Sequence, residues 1–278
     1  MGLVRIAHPF PSALDATAAI AIALIAGAGL STAVRLGLGM LFLQFAIGIA
    51  NDLADAPADA LGKPHKPLPA GLLTPRQAGV ALLAAGAAGL LSAASVGVAA
   101  LAVGVLGLAD GLLYDLRLKG TALSWAPFAA GVGLLPVYGW WGVTGSWPVA
   151  LWGVAALAVL VGVTLALANA LADLEKDRRS EVRSVATALG RGRTLSLDAA
   201  LMLSIQTIAL ATALTLGAGT WALAVGSAGA CLGWLGVGLA SANRERARQA
   251  GWELQAVGFV VLGAAWLSAL NSAGALGR

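Results

Sequence analysis

The sequence predicts an all-α, polytopic membrane protein of about nine transmembrane helices, arranged as two four-helix repeats and one further helix. Three observations predict it: the apolar composition, apolar runs of membrane-spanning length, and basic residues confined to one side. Of the 278 residues, 59% are hydrophobic and 11% are charged, and the mean hydropathy is +0.86. Soluble domains carry about a quarter charged residues. A water-soluble fold could not bury this much apolar surface.

The apolar runs are close to the roughly 20 residues that a helix needs to cross a bilayer. The first follows the short polar segment 1–11, and a proline-rich stretch separates the second from the third. Only residues 92–95 separate the third from the fourth. Helices are therefore expected near residues 12–30, 36–56, 75–93, 95–116, 121–143, 147–173, 194–216, 219–242 and 251–272. We interpret 1–278 as one domain with repeat halves near 12–116 and 121–242 and a ninth helix at 251–272.

The basic residues test this arrangement independently. Nine spans would place 15 of the 17 basic residues on the N-terminal side and leave only Arg35 and Arg278 opposite. By the positive-inside rule, the N-terminus and its loops are cytoplasmic and the C-terminus lies across the cell membrane. Because the charge is a topology signal, the net charge of +4 does not indicate nucleic-acid binding.

One polar motif occurs twice. Residues 51–59 read NDLADAPAD and residues 169–177 read NALADLEKD, so N-x3-D-x3-D recurs at an offset of 118 residues. Each copy closes an even-numbered predicted helix at its cytoplasmic end, which indicates two parallel repeats. The candidate metal ligands are Asn51, Asp55, Asp59, Asn169, Asp173 and Asp177.

The spacing of this motif indicates a cation site. Residues four apart share a helix face, and stacked carboxylates repel unless a cation lies among them. Mg²⁺ prefers oxygen ligands and often completes its shell with substrate phosphates, so the motifs predict magnesium bound with a diphosphate. The alternative is that the acids only solvate helix ends. Pro57 predicts unwinding near Ala56, which would take Asp59 off the shared face. Asp52 faces away, and we expect it to pair with a loop cation.

Basic loops on the same side could neutralise a departing diphosphate. The candidate substrate-binding residues are Lys63, Lys66, Arg117, Lys119 and Arg183. The simpler interpretation of each is that it only sets topology. Asp15 and Asp110 fall inside predicted spans, where an acid either has a function or hydrogen-bonds a neighbouring helix.

These segments resemble the UbiA superfamily of intramembrane prenyltransferases. NDLADAPAD is followed by KPHKPLPAG, which is similar to the first family signature, with Lys66 where Arg is usual. Asp173 and Asp177 lead into EVRSVATALG, which is similar to the second signature, with Glu181 where Gly is common. The Y-x4-K segment from Tyr114 to Lys119 resembles a third family loop.

The resemblance implies an all-α fold around a lipid-facing cavity capped by cytoplasmic loops. It implies two Mg²⁺ ions on the Asn/Asp motifs, with Asp55, Asp173, Lys119 and Tyr114 as catalytic residues. A prenyl diphosphate would ionise, and a lipophilic acceptor, which we expect to be aromatic, would capture the allylic carbocation. The departures at Lys66, Pro57 and Glu181 argue against the best-known ubiquinone and menaquinone branches.

Other functions stay open at this point. A membrane terpene cyclase would use the same ionisation with an internal alkene as acceptor. A transporter with parallel repeats would also contain intramembrane acids, although its site usually lies near the bilayer midplane. A CDP-alcohol phosphotransferase is disfavoured, because the sequence lacks D-G-x2-A-R followed by G-x3-D-x3-D.

Overall fold

A computed structural model describes residues 6, 8–179 and 182–277. This part of the chain is helical and contains no strand, which confirms the predicted class. The helices are α1 Pro9–Ile25, α2 Leu30–Gly62, α3 Pro75–Ala94, α4 Val98–Leu113, α5 Trp125–Thr144, α6 Val149–Ala172, α7 Leu174–Arg179, α8 Val185–Leu189, α9 Arg191–Thr215, α10 Thr220–Ala240 and α11 Glu245–Ser272. A π-helical turn, Tyr114–Leu118, continues α4.

The protein is a multi-pass membrane protein. Within the described residues, seven segments are long and apolar enough to cross a bilayer. They are Leu30–Ala60, Pro75–Ala94, Val98–Leu118, Val149–Ala172, Arg191–Thr215, Thr220–Ala240 and Glu245–Ser272. Helix α1 is apolar but has 17 residues, and α5, which contains Pro136, is not among the seven. The count of nine transmembrane helices therefore stays a prediction.

Helix boundaries differ from the expected ones mainly at the polar ends. Helix α2 runs through Pro57 to Gly62, so the predicted unwinding near Ala56 is wrong. The division between α3 and α4 falls at residues 95–97, next to the predicted break. The short helices α7 and α8 were not predicted, because five or six residues are too few to show a helical hydrophobic period.

The chain separates into two compact units. The first unit comprises Met1–Arg117 and Val137–Ser146, and the second comprises Leu118–Pro136 and Trp147–Arg278. Each unit contains one copy of the Asn/Asp motif. The two four-helix repeats predicted from the sequence stay a prediction.

In the first unit, α2 packs between α1 and α3. A Cβ on Gly89 of α3 would come within 2.9 Å of the Leu43 backbone nitrogen, so this glycine lets the two helices approach closely. Nearer the motif, Ile49 and Ala78 form a buried apolar cluster with Leu68 and Leu73 packed against it. This cluster anchors the loop 63–74 against α2 and α3.

In the second unit, α10 and α11 pack closely through glycines. A Cβ added to Gly258 would lie 2.7 Å from the Gly229 carbonyl oxygen and 2.8 Å from the Gly233 nitrogen. Small residues allow such backbone approach in membrane helices, where packing rather than the hydrophobic effect drives association. Around the second motif, Leu174 and Ala186 pack with Ala170, which joins α6, α7 and α8 in one buried cluster.

Candidate active site

The first motif lies in the last three turns of α2, where Asn51 and Asp55 are half-buried. The Asn51 side-chain Nδ2 donates to Asp115 Oδ1 at 2.8 Å. Asp115 is buried, at 7% exposure, in the π-helical turn after α4. This bond uses an amide N–H of Asn51, and the amide oxygen is the acceptor atom of the side chain.

The packing of α4 against α2 explains how Asp115 reaches Asn51. Gly111 of α4 lies against the Ile47 side chain, one turn before Asn51 on α2. The widened turn at Tyr114–Leu118 follows directly, and such π-bulges are frequent at functional sites. Asp115 was not predicted from the sequence. Its signal in the sequence is an acid at the end of an apolar helix, just before the basic residues Arg117 and Lys119.

Lys66 pairs with two acids that lie on either side of Pro57. Its Nζ donates to Asp52 Oδ1 at 2.8 Å and to Asp59 Oδ2 at 2.6 Å. Asp52 also lies 3.2 Å from His8 Nε2, so the expected pairing of Asp52 with a loop cation is confirmed. Burial lowers the pKa of Lys66, but hydrogen bonds from Lys66 to Asp52 and Asp59 and the attraction of both charges outweigh it and raise this pKa.

These ion pairs explain why α2 continues past its proline. Asp52 and Asp59 are seven residues apart and share a helix face, so Lys66 joins the turns before and after Pro57. The Lys63 backbone N–H donates to the Asp59 carbonyl at 2.7 Å and closes the helix. Asp59 thus lies on the Asp52 side with Lys66. Its role as a metal ligand stays a prediction, as does the role of Lys66 in binding substrate.

The second motif spans the break between α6 and α7. Asp173 is the residue that ends α6, and its carbonyl accepts from the Asp177 backbone N–H at 2.8 Å. Burial raises the pKa of Asp177, and the nearby Asp173 charge raises it further. A hydrogen bond with Ser184 and the charges of Lys176 and Lys119 oppose this rise. A repelling carboxylate pair of this kind would be stabilised by a cation.

The donor set suits magnesium. Each motif offers an Asn amide oxygen and carboxylates, which are hard oxygen ligands. In the parts of the chain that the structure describes, no three His, Cys, Asp or Glu side chains cluster as a ready metal cage.

The other candidate residues differ in how far their side chains are exposed. Lys63, Tyr114 and Asn169 are half-buried, whereas Arg117 and Arg183 are exposed. Their predicted roles stay predictions.

Of the two intramembrane acids, Asp15 accepts a hydrogen bond from Gln44 of α2 at 2.6 Å, as one of the two interpretations expected. Asp110 is half-buried in α4. Glu181 and Arg278 lie outside the described residues.

The sequence and the fold are both similar to those of known proteins. The sequence model of the UbiA prenyltransferase family matches residues 14–254. A UbiA homologue from Aeropyrum pernix K1 has a similar structure, with a TM-score of 0.75 at 21% identity over 92% of this chain and 96% of that one. A UbiA homologue from Archaeoglobus fulgidus, solved with GPP and Mg²⁺, gives 0.72 at 18% identity over 94% and 99%.

A structure described for digeranylgeranylglyceryl phosphate synthase gives a TM-score of 0.70 at 17% identity, over 97% of this chain and 96% of that one. A search of curated proteins finds no match. Similarity to solved structures at this level of identity shows a shared fold. The family match covers most of the sequence, and the chain therefore belongs to the UbiA prenyltransferase family.

Proposed function

We propose that this protein transfers a prenyl group from a prenyl diphosphate to a lipophilic, aromatic acceptor, with magnesium held by each Asn/Asp motif. The observation that supports it most is the second motif, where Asp173 and Asp177 repel each other beside Lys119. This combination suits a cation and an anionic ligand bound together. The A. fulgidus homologue solved with GPP and Mg²⁺ supports the same substrate class.

In this proposal, Asn51, Asp55 and Asp59 hold one magnesium site, and the second motif supplies the other ligands. Those of the second motif are Asn169, Asp173 and Asp177. When bound, magnesium neutralises charge on the departing diphosphate. The amide of Asn51 is oriented by Asp115, which supports its role as an oxygen ligand.

Basic side chains complete the binding of the diphosphate oxygens. The charge of Lys119 acts on Asp177 and opposes the rise of its pKa, which supports Lys119 as the main contact. We assign supporting contacts to Lys63, Lys66, Arg117 and Arg183, and a catalytic role beside Lys119 to Tyr114. Each cation stabilises the negative charge that grows as the bond breaks.

The reaction breaks the bond between the prenyl C1 and the diphosphate oxygen, and the bonding electrons leave with the diphosphate. The acceptor nucleophile then bonds to C1 and releases a proton. An allylic cation survives only where water is excluded, and apolar helices provide such surroundings.

The test is magnesium-dependent pyrophosphate release by the purified protein from geranyl, farnesyl and geranylgeranyl diphosphates, with and without aromatic acceptors. We expect release that requires both Mg²⁺ and an acceptor. Release without an acceptor, accompanied by a cyclic hydrocarbon, would instead identify a terpene cyclase. No release from any donor by folded protein would contradict the proposal.

Neutral replacement of the motif acids sharpens this test. We expect Asp55→Asn and Asp173→Asn each to lower the rate by at least about 100-fold, because each removes a charged ligand and metal-held charge stabilisation is worth several kcal/mol. The exposed acid Glu245 lies outside both motifs, so Glu245→Gln is the matched control and should retain activity. Full activity in both motif variants would refute the metal sites.

A further inference from the structure

Arg248 is among the most deeply buried side chains that the structure describes, at 1% exposure in the first turn of α11. From the sequence alone it is only one of the charges that set topology. A buried guanidinium has five N–H donors and needs partners for them. These partners come from outside its own helix.

Arg248 contacts the chain on both sides of Asp173. Arg248 Nε donates to the Leu171 carbonyl at 2.8 Å, and Nη2 pairs with the Glu175 carboxylate. Leu171 and Glu175 lie two residues before and two residues after Asp173. The Leu171 carbonyl is one of the last four of α6, which have no partner inside the helix. The guanidinium satisfies it and offsets the negative end of the helix dipole.

The remaining contacts fix Arg248 itself. Its Nη1 donates to the Asn243 carbonyl at 2.9 Å and to the Ala242 carbonyl at 3.3 Å. Arg191 binds the same loop, residues 241–244 between α10 and α11. Its Nη2 donates to the Ser241 and Ala242 carbonyls, each at 2.6 Å. Its Nη1 donates to Asn243 Oδ1 at 2.9 Å. Two arginines thus bind this loop, and Arg248 additionally bonds to the ends of α6 and α7.

We propose that Arg248 is a positioning residue for the second motif: it fixes the break between α6 and α7 and thereby the spacing of Asp173 and Asp177. This role of Arg248 rests on the proposed function, in which Asp173 and Asp177 are metal ligands. Groups that orient metal ligands typically change metal affinity or activity by roughly 10- to 100-fold when replaced. Lysine at 248 would keep the charge but could not bond to all three segments at once.

Hydrogen–deuterium exchange of the purified, metal-free protein tests the geometry without any activity. We expect Arg248→Lys to speed exchange of the amides of residues 171–179. Arg191→Lys is the matched control, because it loosens the same loop without touching α6 or α7, and it should leave these amides unchanged. Equal acceleration in both variants, or none in Arg248→Lys, would overturn the proposal.

Binding of Mn²⁺, followed by electron paramagnetic resonance, provides the second measurement. Glu175→Gln removes the ion pair through a side chain that is 43% exposed, so it tests the contact even if Arg248→Lys fails to fold. We expect roughly 10-fold weaker Mn²⁺ binding in Glu175→Gln than in wild type. Arg191→Lys should bind Mn²⁺ as wild type does.

Equal Mn²⁺ affinity in Glu175→Gln and wild type, or no Mn²⁺ binding by wild type, would overturn the proposal. Wild-type Mn²⁺ binding without pyrophosphate release from any donor would contradict prenyl transfer alone. The expected exchange and binding differences would then still support the role of Arg248.

Discussion

At the scale of single residues, Lys66 determines how α2 ends. Its ammonium joins Asp52 and Asp59, which are 4% and 7% exposed. Removing one partner of a buried ion pair leaves charge without compensation, which is more destabilising than the pair was stabilising. The two acids lie on either side of Pro57, where the helix lacks one backbone hydrogen bond. Removing Lys66 would therefore also weaken the helix at this point.

We therefore expect Lys66→Met to lower the free energy of unfolding by about 3 kcal/mol and to open the end of α2. The melting temperature in detergent and exchange of the amides of residues 57–62 measure both effects. Arg76→Met removes an exposed cation from the first turn of α3 and should change neither. Equal melting temperatures for Lys66→Met and Arg76→Met would refute the structural role of Lys66.

At the scale of helices, sequence pattern predicted the apolar segments well and the polar ends poorly. The break between α3 and α4 follows from Ser92 and Ser95, a local signal. Helix α2 continues past Pro57 where Lys66 joins Asp52 and Asp59, a tertiary contact that the local pattern does not contain. In the same way, Arg248 could be counted as a charge, but its partners at the end of α6 follow only from the fold.

The close packing of α10 against α11 gives a prediction at this scale. Gly258→Ala would place a Cβ 2.7 Å from the Gly229 carbonyl oxygen, and overpacking of this kind destabilises by about 1–3 kcal/mol. Gly263 is on the same helix, and a Cβ added there would meet no other atom within 4 Å. Gly263→Ala is thus the matched control and should keep or slightly raise the melting temperature. Equal melting temperatures for the two variants would contradict the packing.

At the scale of the whole molecule, the one-sided charge predicts how the chain crosses the membrane. Nine spans would put 15 basic residues on one side, and this charge asymmetry predicts that the loop 63–74 is cytoplasmic. Residues 145–148, between α5 and α6, should then face the opposite side. This expectation depends on α1 and α5 crossing the bilayer along with the seven longer apolar segments.

Single-cysteine labelling tests this orientation in a Cys231→Ala background. Leu72 and Ser146 are both exposed, so Leu72→Cys and Ser146→Cys form a matched pair. In intact cells, we expect an impermeant maleimide to label Ser146→Cys and to label Leu72→Cys only after permeabilisation. Labelling of both from outside would show that the predicted span count is wrong.

The hydrogen bond between Asn51 and Asp115 has a further consequence for the choice of residue that opens the first motif. An aspartate at position 51 has nearly the same shape and also offers oxygen ligands, but it has no N–H group to donate. It would face the Asp115 carboxylate as a like charge at hydrogen-bonding distance. The site therefore discriminates between two nearly isosteric side chains through a neighbour that sequence spacing did not reveal.

Exchanging the two partners isolates this effect. Asn51→Asp should lower the affinity for Mn²⁺, and adding Asp115→Asn should restore much of it, because the amide at 115 would then donate to the acid at 51. Donor and acceptor would have changed places while the local charge stayed the same. A double variant no better than Asn51→Asp would show that the amide at position 51 is needed for another reason.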